Sequence, residues 1–418
     1  MKRPSVLAFL VAPLLLVGTA GAADSLNVRL VAHLIAPNIV WGVAVSGDYA
    51  YLACTGDTVE LRVVSVADPA HPIQVGQWLH SEPSGSEGNG VVVEGNYAFL
   101  SDMVDGLFVI SVADPAHPAE VGHLAMPGYS NGVAVSGNYA YVADDTDGLR
   151  VVSIADPAHP VEVGHCETTG AASGVTIVGN LAYLADADSG LRVISVADPA
   201  HPVEVGRCES TGTAVGVAVN GEYAYVLDDM QLNGWLWVVS VADSAHPALV
   251  GGGCILNGVP NEACAVGNYV YTALSPLGLE VISVADPAHP VEAGYYAGFY
   301  GGAPGVTVAG GFTYLANGAD GLKVYQFYGD GIEESPGPQA SSHKPSPTIV
   351  RGVLQLGVDS RPKTGYRAEL LNTTGRKVLD LRPGSNYVRA LAPGVYFVRQ
   401  ASSVRHQASS VSKVVLTE

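Results

Sequence analysis

The chain has 418 residues, 50 of them glycine, with only 14% charged residues and a formal net charge of −19. That charge is unevenly divided: residues 24–343 hold 6 Lys/Arg against 35 Asp/Glu, whereas residues 345–418 hold 11 against 4. An acidic body of this kind repels phosphate backbones and excludes nucleic acid as a natural partner.

At the N-terminus, Lys2 and Arg3 precede an apolar run from Val6 to Val17, and the small residues of "GTAGAADS" follow. This pattern predicts a secretory signal peptide over residues 1–23, cleaved after Ala22 or Ala23. No later segment approaches about 20 continuous apolar residues, so no stable membrane span is expected.

From residue 24 to 328 the chain repeats. One marker reads "GVAVSGDYAYLA" from Gly42 and returns from Gly90, Gly132, Gly174, Gly216, Glu262 (as "EACAVGNYVYTA") and Gly305. A second, "ADPAHP", begins at Ala67, Ala113, Ala155, Ala197 and Ala285, with "ADSAHP" at Ala242. Each unit spells four short strands: "GVAV", then a two-residue turn opening on glycine, then "YAYVAD", "LRVVSVA" and "PVEVGH". Glycine at the first turn position supplies the positive φ of a hairpin whose twist matches its strands. Strand-forming residues dominate and no sustained 3.6-residue apolar period occurs, which predicts an all-β fold.

Seven four-stranded antiparallel units at this period predict a seven-bladed β-propeller. The last unit stops after its third strand, residues 321–327, while the chain opens with a spare strand at 27–34. Pairing the two completes blade seven and hides the edges an open array would expose. The stretch "GNYAYVADDTDGLRVVSIADPAHPVEVG" at 137–164 resembles the LVIVD repeat, a propeller-forming repeat of bacterial and archaeal surface and exported proteins. The resemblance implies a fold and carries no catalytic residues with it.

A Ser/Pro/Gly linker spans 329–346 and a different composition begins at 347. Short alternating segments with turns at Gly375, Pro383-Gly384 and Pro393-Gly394 predict a small immunoglobulin-like β-sandwich over 347–418. "NTTGRKVLDL" (with Gly375 and Arg376), "LAPGVYFVR" (Pro393, Gly394, Val395, Tyr396) and "KVVL" (Lys413) resemble the type A C-terminal sorting domain of the type IX secretion system. "PSP" at 345–347 departs from that family's Pro-Asn-Pro opening. The resemblance implies engagement of secretion machinery, export through the periplasm and outer membrane, and a secreted or cell-surface location.

Three groups of residues are candidate sites. The histidines of the six Asp-Pro turns (His71, His117, His159, His201, His246, His289) recur three residues after an aspartate. Strand spacing puts equivalent turns on the order of 15 Å apart, too far to share one metal, and Asp and Pro suffice to build the turn. Carboxylates between strands two and three, among them Asp144, Asp145, Asp147, Asp186 and Asp188, faintly resemble calcium loops but lack the full series with a later bidentate Glu. Ca²⁺ is therefore the one cofactor considered, and no other is expected. The loops joining strand four to the next strand one vary in sequence and offer Trp41, Tyr129, Tyr296, Phe299 and Tyr300. Variable loops on a rigid ring are where binding resides.

The inner strands read "VAV", "VVV", "VTI" or "CAV", which predicts a channel wall without acid, base or nucleophile, and no GxSxG, HExxH or P-loop occurs. The expected protein is a non-enzymatic, monomeric binding scaffold for a protein or glycan partner. The alternative is a polysaccharide-active hydrolase or lyase with carboxylates in the channel. Of the five cysteines, Cys254 and Cys264 are a conceivable disulfide pair.

Overall fold

In the computed structural model, residues 25–56, 59–80, 88–210, 212–230, 233–297 and 302–329 are described, together with seven strands of the C-terminal region. The chain divides into two compact units, residues 1–332 and 333–418.

The first unit contains seven antiparallel sheets in sequence order, and each is one blade. Blade three is typical, with strands Gly132–Ser136, Tyr139–Ala143, Leu149–Ser153 and Val161–Cys166 pairing in succession. The turn glycines before each second strand have φ near +60°, for example Gly47 at 58° and Gly137 at 61°. A Cβ is disfavoured in that region, so the hairpins demand glycine there.

Strands two and three are buried on both faces, and a core fills every junction between blades. Tyr141, Val151, Leu184 and Ile194 join blades three and four. Leu52 and Val64 meet Tyr314 and Val324 where blade seven returns to blade one. That last junction closes the ring. Strand Val28–Leu34 pairs with strand Leu322–Phe327, in register from Val28 opposite Phe327 to Leu34 opposite Leu322, so the N-terminal strand completes blade seven as expected.

Two details depart from the expectation. Asn27, with φ of 53°, breaks the N-terminal segment, and the short strand Ser25–Leu26 before it pairs instead with strand Val291–Ala297 of blade six. One segment thus staples two blades. In blade five the fourth strand is interrupted: Ala248–Leu249 and Cys254–Leu256 both pair with strand Gly234–Ser240, and Gly251, Gly252 and Gly253 lie between them.

In the second unit, strands Thr348–Val350, Val353–Leu356 and Gly384–Tyr387 form one sheet. Strands Lys377–Leu381, Arg367–Leu371, Gly394–Ala401 and Ser410–Leu416 form another. Gly394, Val395 and Tyr396 open one of these strands, and Lys413 pairs with Phe397. Gly375, Arg376 and Pro393 lie outside the described residues. All five cysteines are free, including Cys254 and Cys264.

Candidate functional site

The carboxylates that end strand two are posts to which the variable loops are tied. Asp144 is fully buried, accepts the Gly128 N–H at 3.0 Å and accepts the Ser130 hydroxyl at 2.9 Å. Asp186 likewise accepts from Gly170 N–H at 3.1 Å and from the Thr168 hydroxyl at 2.6 Å. Asp228 accepts from Gly212 N–H at 3.0 Å. Every one of these donors belongs to the loop that enters strand one of the same blade. A buried acceptor satisfied this way fixes the loop, because leaving it unmade is costly. Burial pushes the carboxyls of Asp144 and Asp228 above the usual range, against the pull of those hydrogen bonds.

Arginine completes the arrangement. Arg150 reaches Asp147 at 3.0 Å, Glu162 at 3.2 Å and Asp144 at 3.6 Å, and Arg192 reaches Asp186 at 3.3 Å and Glu204 at 3.4 Å. Asp145 and Asp188 turn toward the following blade: the Asp145 N–H donates to Ala172, and Asp188 accepts the Thr213 hydroxyl at 3.1 Å. Among the described residues no three His, Cys, Asp or Glu side chains are placed to share a metal.

The six Asp-Pro turns are local hydrogen-bonded units. In one, the Asp198 carboxylate accepts from the Ala200 N–H at 3.1 Å and from His201 Nδ1 at 2.9 Å. The hydrogen bond from His201 holds the Asp198 carboxyl below its usual range. These side chains stand in water, His201 being 81% exposed. The turn also touches its neighbour. A Cβ added at Gly164 in blade three's fourth strand would collide with the carbonyl of Pro199 and come within 2.9 Å of Ala200. Gly76, Gly122 and Gly206 face the next blade's turn in the same way. The repeated turn is a wedge between blades, seated on glycine.

The aromatic candidates are not brought together. Tyr129 is 53% exposed in the loop before Gly132. Trp41 adjoins Gly42 on the inner strand, and its indole N–H is buried without an acceptor among the described residues. Tyr296, expected in a loop, sits within strand Val291–Ala297 with its ring 5.0 Å from that of Tyr325, in the core between blades six and seven. Phe299 and Tyr300 lie outside the described residues.

The channel wall is not free of acids, contrary to the sequence reading. Glu262 replaces the inner-strand glycine of blade six, and its Oε2 accepts the Val306 N–H of blade seven at 2.8 Å. The residue as a whole is exposed, while the atoms packed around its carboxyl desolvate it and push it up to about 7. Blade six holds a second unusual acid. Glu280 occupies the position of Arg150 and Arg192, is fully buried, and accepts both the backbone and side-chain N–H groups of Asn257 at 3.0 and 2.8 Å. Burial first, and the neighbouring Glu292 second among the groups that raise it, bring Glu280 to about 7.

Blade five contains a feature missed in the sequence. Trp235 and Trp237 stack with centroids 5.2 Å apart and planes 13° off parallel. Trp237 takes the arginine position, and its Nε1 donates to Asp228 at 2.9 Å. The signal was present as "GWLWVVS" where neighbouring repeats read "GLRVVS" and "GLRVIS".

Comparison with known proteins agrees with this architecture. The LVIVD repeat is matched at residues 38–79, 87–125, 127–168, 169–210, 211–252 and 263–298. No curated protein matches the chain. Among solved structures, the RRP9 WD40 repeats superpose with a TM-score of 0.57 at 11% identity, covering 72% of this chain and 97% of that one. U3-55K gives 0.55 at 12% identity, with 72% and 98% covered. The computationally designed Ika8 protein gives 0.53 at 9% identity, with 71% and 99% covered. At such identities the likeness shows the fold alone.

Proposed function

The chain belongs to the LVIVD repeat family, and from that premise we propose that it is an exported, non-enzymatic scaffold that binds a protein or glycan partner through its loop face. The observation that carries this reading is the tethering of the loops that enter strand one by buried Asp144, Asp186 and Asp228, on a face whose other loops differ in sequence from blade to blade. Loops that differ from blade to blade on a rigid ring are suited to recognition. The signal-peptide pattern and the sorting-domain resemblance supply the route to the surface, with the C-terminal region read as a sandwich that engages the secretion machinery. A single copy suffices for such a scaffold. No resident cofactor is required, since Asp144, Asp147 and Asp186 already face guanidinium groups that calcium would have to displace.

One observation favours a second reading, polysaccharide cleavage: Glu262 is a channel carboxyl raised to about 7, within the range suited to an acid catalyst. A glycosidase would need a partner carboxylate about 5–10 Å away. An array of polysaccharides and surface proteins, scored for both retention and product release, separates the two. Retention without release supports the scaffold. Release that disappears in Glu262→Gln overturns it. Fractionation that finds the full chain confined to the cytoplasm removes the export element.

A further inference from the structure

Blade six reverses the charge that closes its neighbours. In blades three and four the third strand carries Arg150 or Arg192, which reaches Glu162 or Glu204 on the fourth strand. Blade six keeps the fourth-strand acid as Glu292, opposite Ile282, and replaces the arginine with Glu280. Two carboxyls therefore stand together where the repeat has an ion pair. Among the described residues no Lys, Arg or His forms an ion pair with either of them.

The groups that face Glu280 from the surrounding elements are otherwise neutral. Asn257 takes the place of the cation. Its backbone N–H donates to Glu280 Oε2 at 3.0 Å, and its Nδ2 donates to Glu280 Oε1 at 2.8 Å and to Glu292 Oε2 at 2.9 Å. Strand Cys254–Leu256 brings up the Cys254 thiol, which burial first and these two acids second push up to about 11, so it stays uncharged. Tyr295 lies opposite Glu280 in the sheet, and the Thr272 hydroxyl of the second strand donates to the Glu280 carbonyl at 3.0 Å. The remaining acid of the inner strand, Glu262, is bound to Val306 of blade seven. An amide carries no charge, so Asn257 orients two carboxyls without neutralising either. Burial and Glu292 both favour the protonated form of Glu280, and a proton on one carboxyl turns repulsion into a hydrogen bond to the other.

The segment that the pair holds has few other anchors. Leu256 is fully buried in the core between blades five and six, and beyond it the Gly258 carbonyl accepts the Gly234 N–H at 2.8 Å. Asn257 itself is exposed. Lifting it breaks its hydrogen bonds to the acids but uncovers little apolar surface, whereas two ionised carboxyls kept from water destabilise the closed arrangement strongly.

The geometry points to a proton-operated latch on blade six: one proton held between Glu280 and Glu292 keeps the Asn257 loop closed, and its loss as the medium turns from acid to neutral lets Asn257 and Gly258 lift from the sheet and admits water to Glu280. The latch acts on the loop that enters strand one of blade six, and it stands whether or not that loop meets a partner.

The test is hydrogen exchange by mass spectrometry on the full chain between pH 5 and 8, each rate being divided by the intrinsic rate at that pH. Exchange in residues 254–262 should rise at least about tenfold over this range, the rise expected where closing the loop strengthens proton binding by that factor. The loops of Gly128 and Gly170, tied by aspartates that face arginine, should change less than about threefold. Glu280→Gln is neutral at every pH and still offers Asn257 an oxygen, so it should keep the loop closed and flatten the rise. Glu292→Gln, at an exposed position, should shrink the rise and complete it at lower pH, because burial alone then favours the proton. It carries the test should Glu280→Gln fail to fold. The proposal is overturned if residues 254–262 show no rise, if the rise persists unchanged in either folded variant, or if the loops of blades three and four rise with it, which would make the effect a property of the whole ring.

Discussion

The wedge between blades makes a sharp prediction at Gly164. Alanine there would drive its Cβ into the carbonyl of Pro199 and to 2.9 Å from Ala200, both backbone atoms of a turn that its own Asp198 holds rigid. Backbone cannot swing aside as the end of a flexible side chain can, so the two blades must part. Overpacking of this kind costs about 1–3 kcal/mol. In a ring of this size each kcal/mol moves the melting temperature by roughly 2–4 °C, which predicts a loss of about 2–12 °C for Gly164→Ala. Gly252 is the matched control, because a Cβ there meets nothing within 4 Å and its φ is not positive. Gly252→Ala should be neutral or stabilising by up to about 1 kcal/mol through the unfolded chain. Differential scanning calorimetry and urea unfolding of both variants read the difference. If Gly164→Ala melts within about 1 °C of the parent while Gly252→Ala behaves as expected, the Asp-Pro turn is not seated on its neighbour as described.

Three further outcomes follow from the buried groups. Burial, with Glu292 beside it, holds the Glu280 carboxyl well above the usual carboxylate range, so the stability its protonated form contributes is complete at acid pH and is lost as pH rises toward about 7. Glu280→Gln should flatten the fall in melting temperature between pH 5 and 8; an unchanged slope refutes the assignment. Asp186→Asn should cost less than the about 3–5 kcal/mol of an uncompensated buried charge, because Glu204 still faces Arg192 at 3.4 Å, and hydrogen exchange should rise first at Thr168 and Gly170. His201→Ala should shift stability by less than about 0.5 kcal/mol, since the turn's backbone bonds remain and both partners are solvated. Zinc or nickel that raises the melting temperature only when His201 is present would contradict the turn reading.

The propeller was legible because its determinants are local. A glycine with positive φ between "GVAV" and "YAYVA" recurs seven times, and each recurrence marks a hairpin whatever surrounds it. Ring closure was legible for the same reason, as one unit lacked a strand and the N-terminus had one to spare. The sites were less legible because their partners are distant in sequence. Asp144, Asp186 and Asp228 each bind a backbone N–H 16 residues upstream, a separation set by the path of the loop and not by any motif. Read alone, those aspartates fit hairpin chemistry or a calcium loop equally well. Glu262 was overlooked because the inner strand was recognised by its valines, and the residue at the glycine position of "EACAV" was passed over. Tyr296 was placed in a loop, but the fourth strand of blade six runs on to Ala297, paired with Ser25 and Leu26 across its edge.

One position per blade accounts for much of what differs around the ring. The residue after the leucine near the start of strand three is Arg62, Phe108, Arg150, Arg192, Trp237, Glu280 or Lys323 in blades one to seven. In blades three and four the cation neutralises a buried aspartate and reaches a glutamate on strand four, so the blade is electrically closed. In blade two Phe108 stacks on His123 at 4.5 Å instead. Blade five keeps the aspartate but exchanges the cation for an indole, which satisfies one oxygen and stacks on Trp235. Blade six inverts the charge and sets Glu280 beside Glu292, with Asn257 donating to both. The backbone tolerates all of these because the strand pairing does not depend on that side chain. A ring built from near-identical hairpins can therefore hold a different local chemistry at each mouth, and blades five and six, where the cation has been lost beside a loop that still must be held, are where selection for something other than folding has the most room to act.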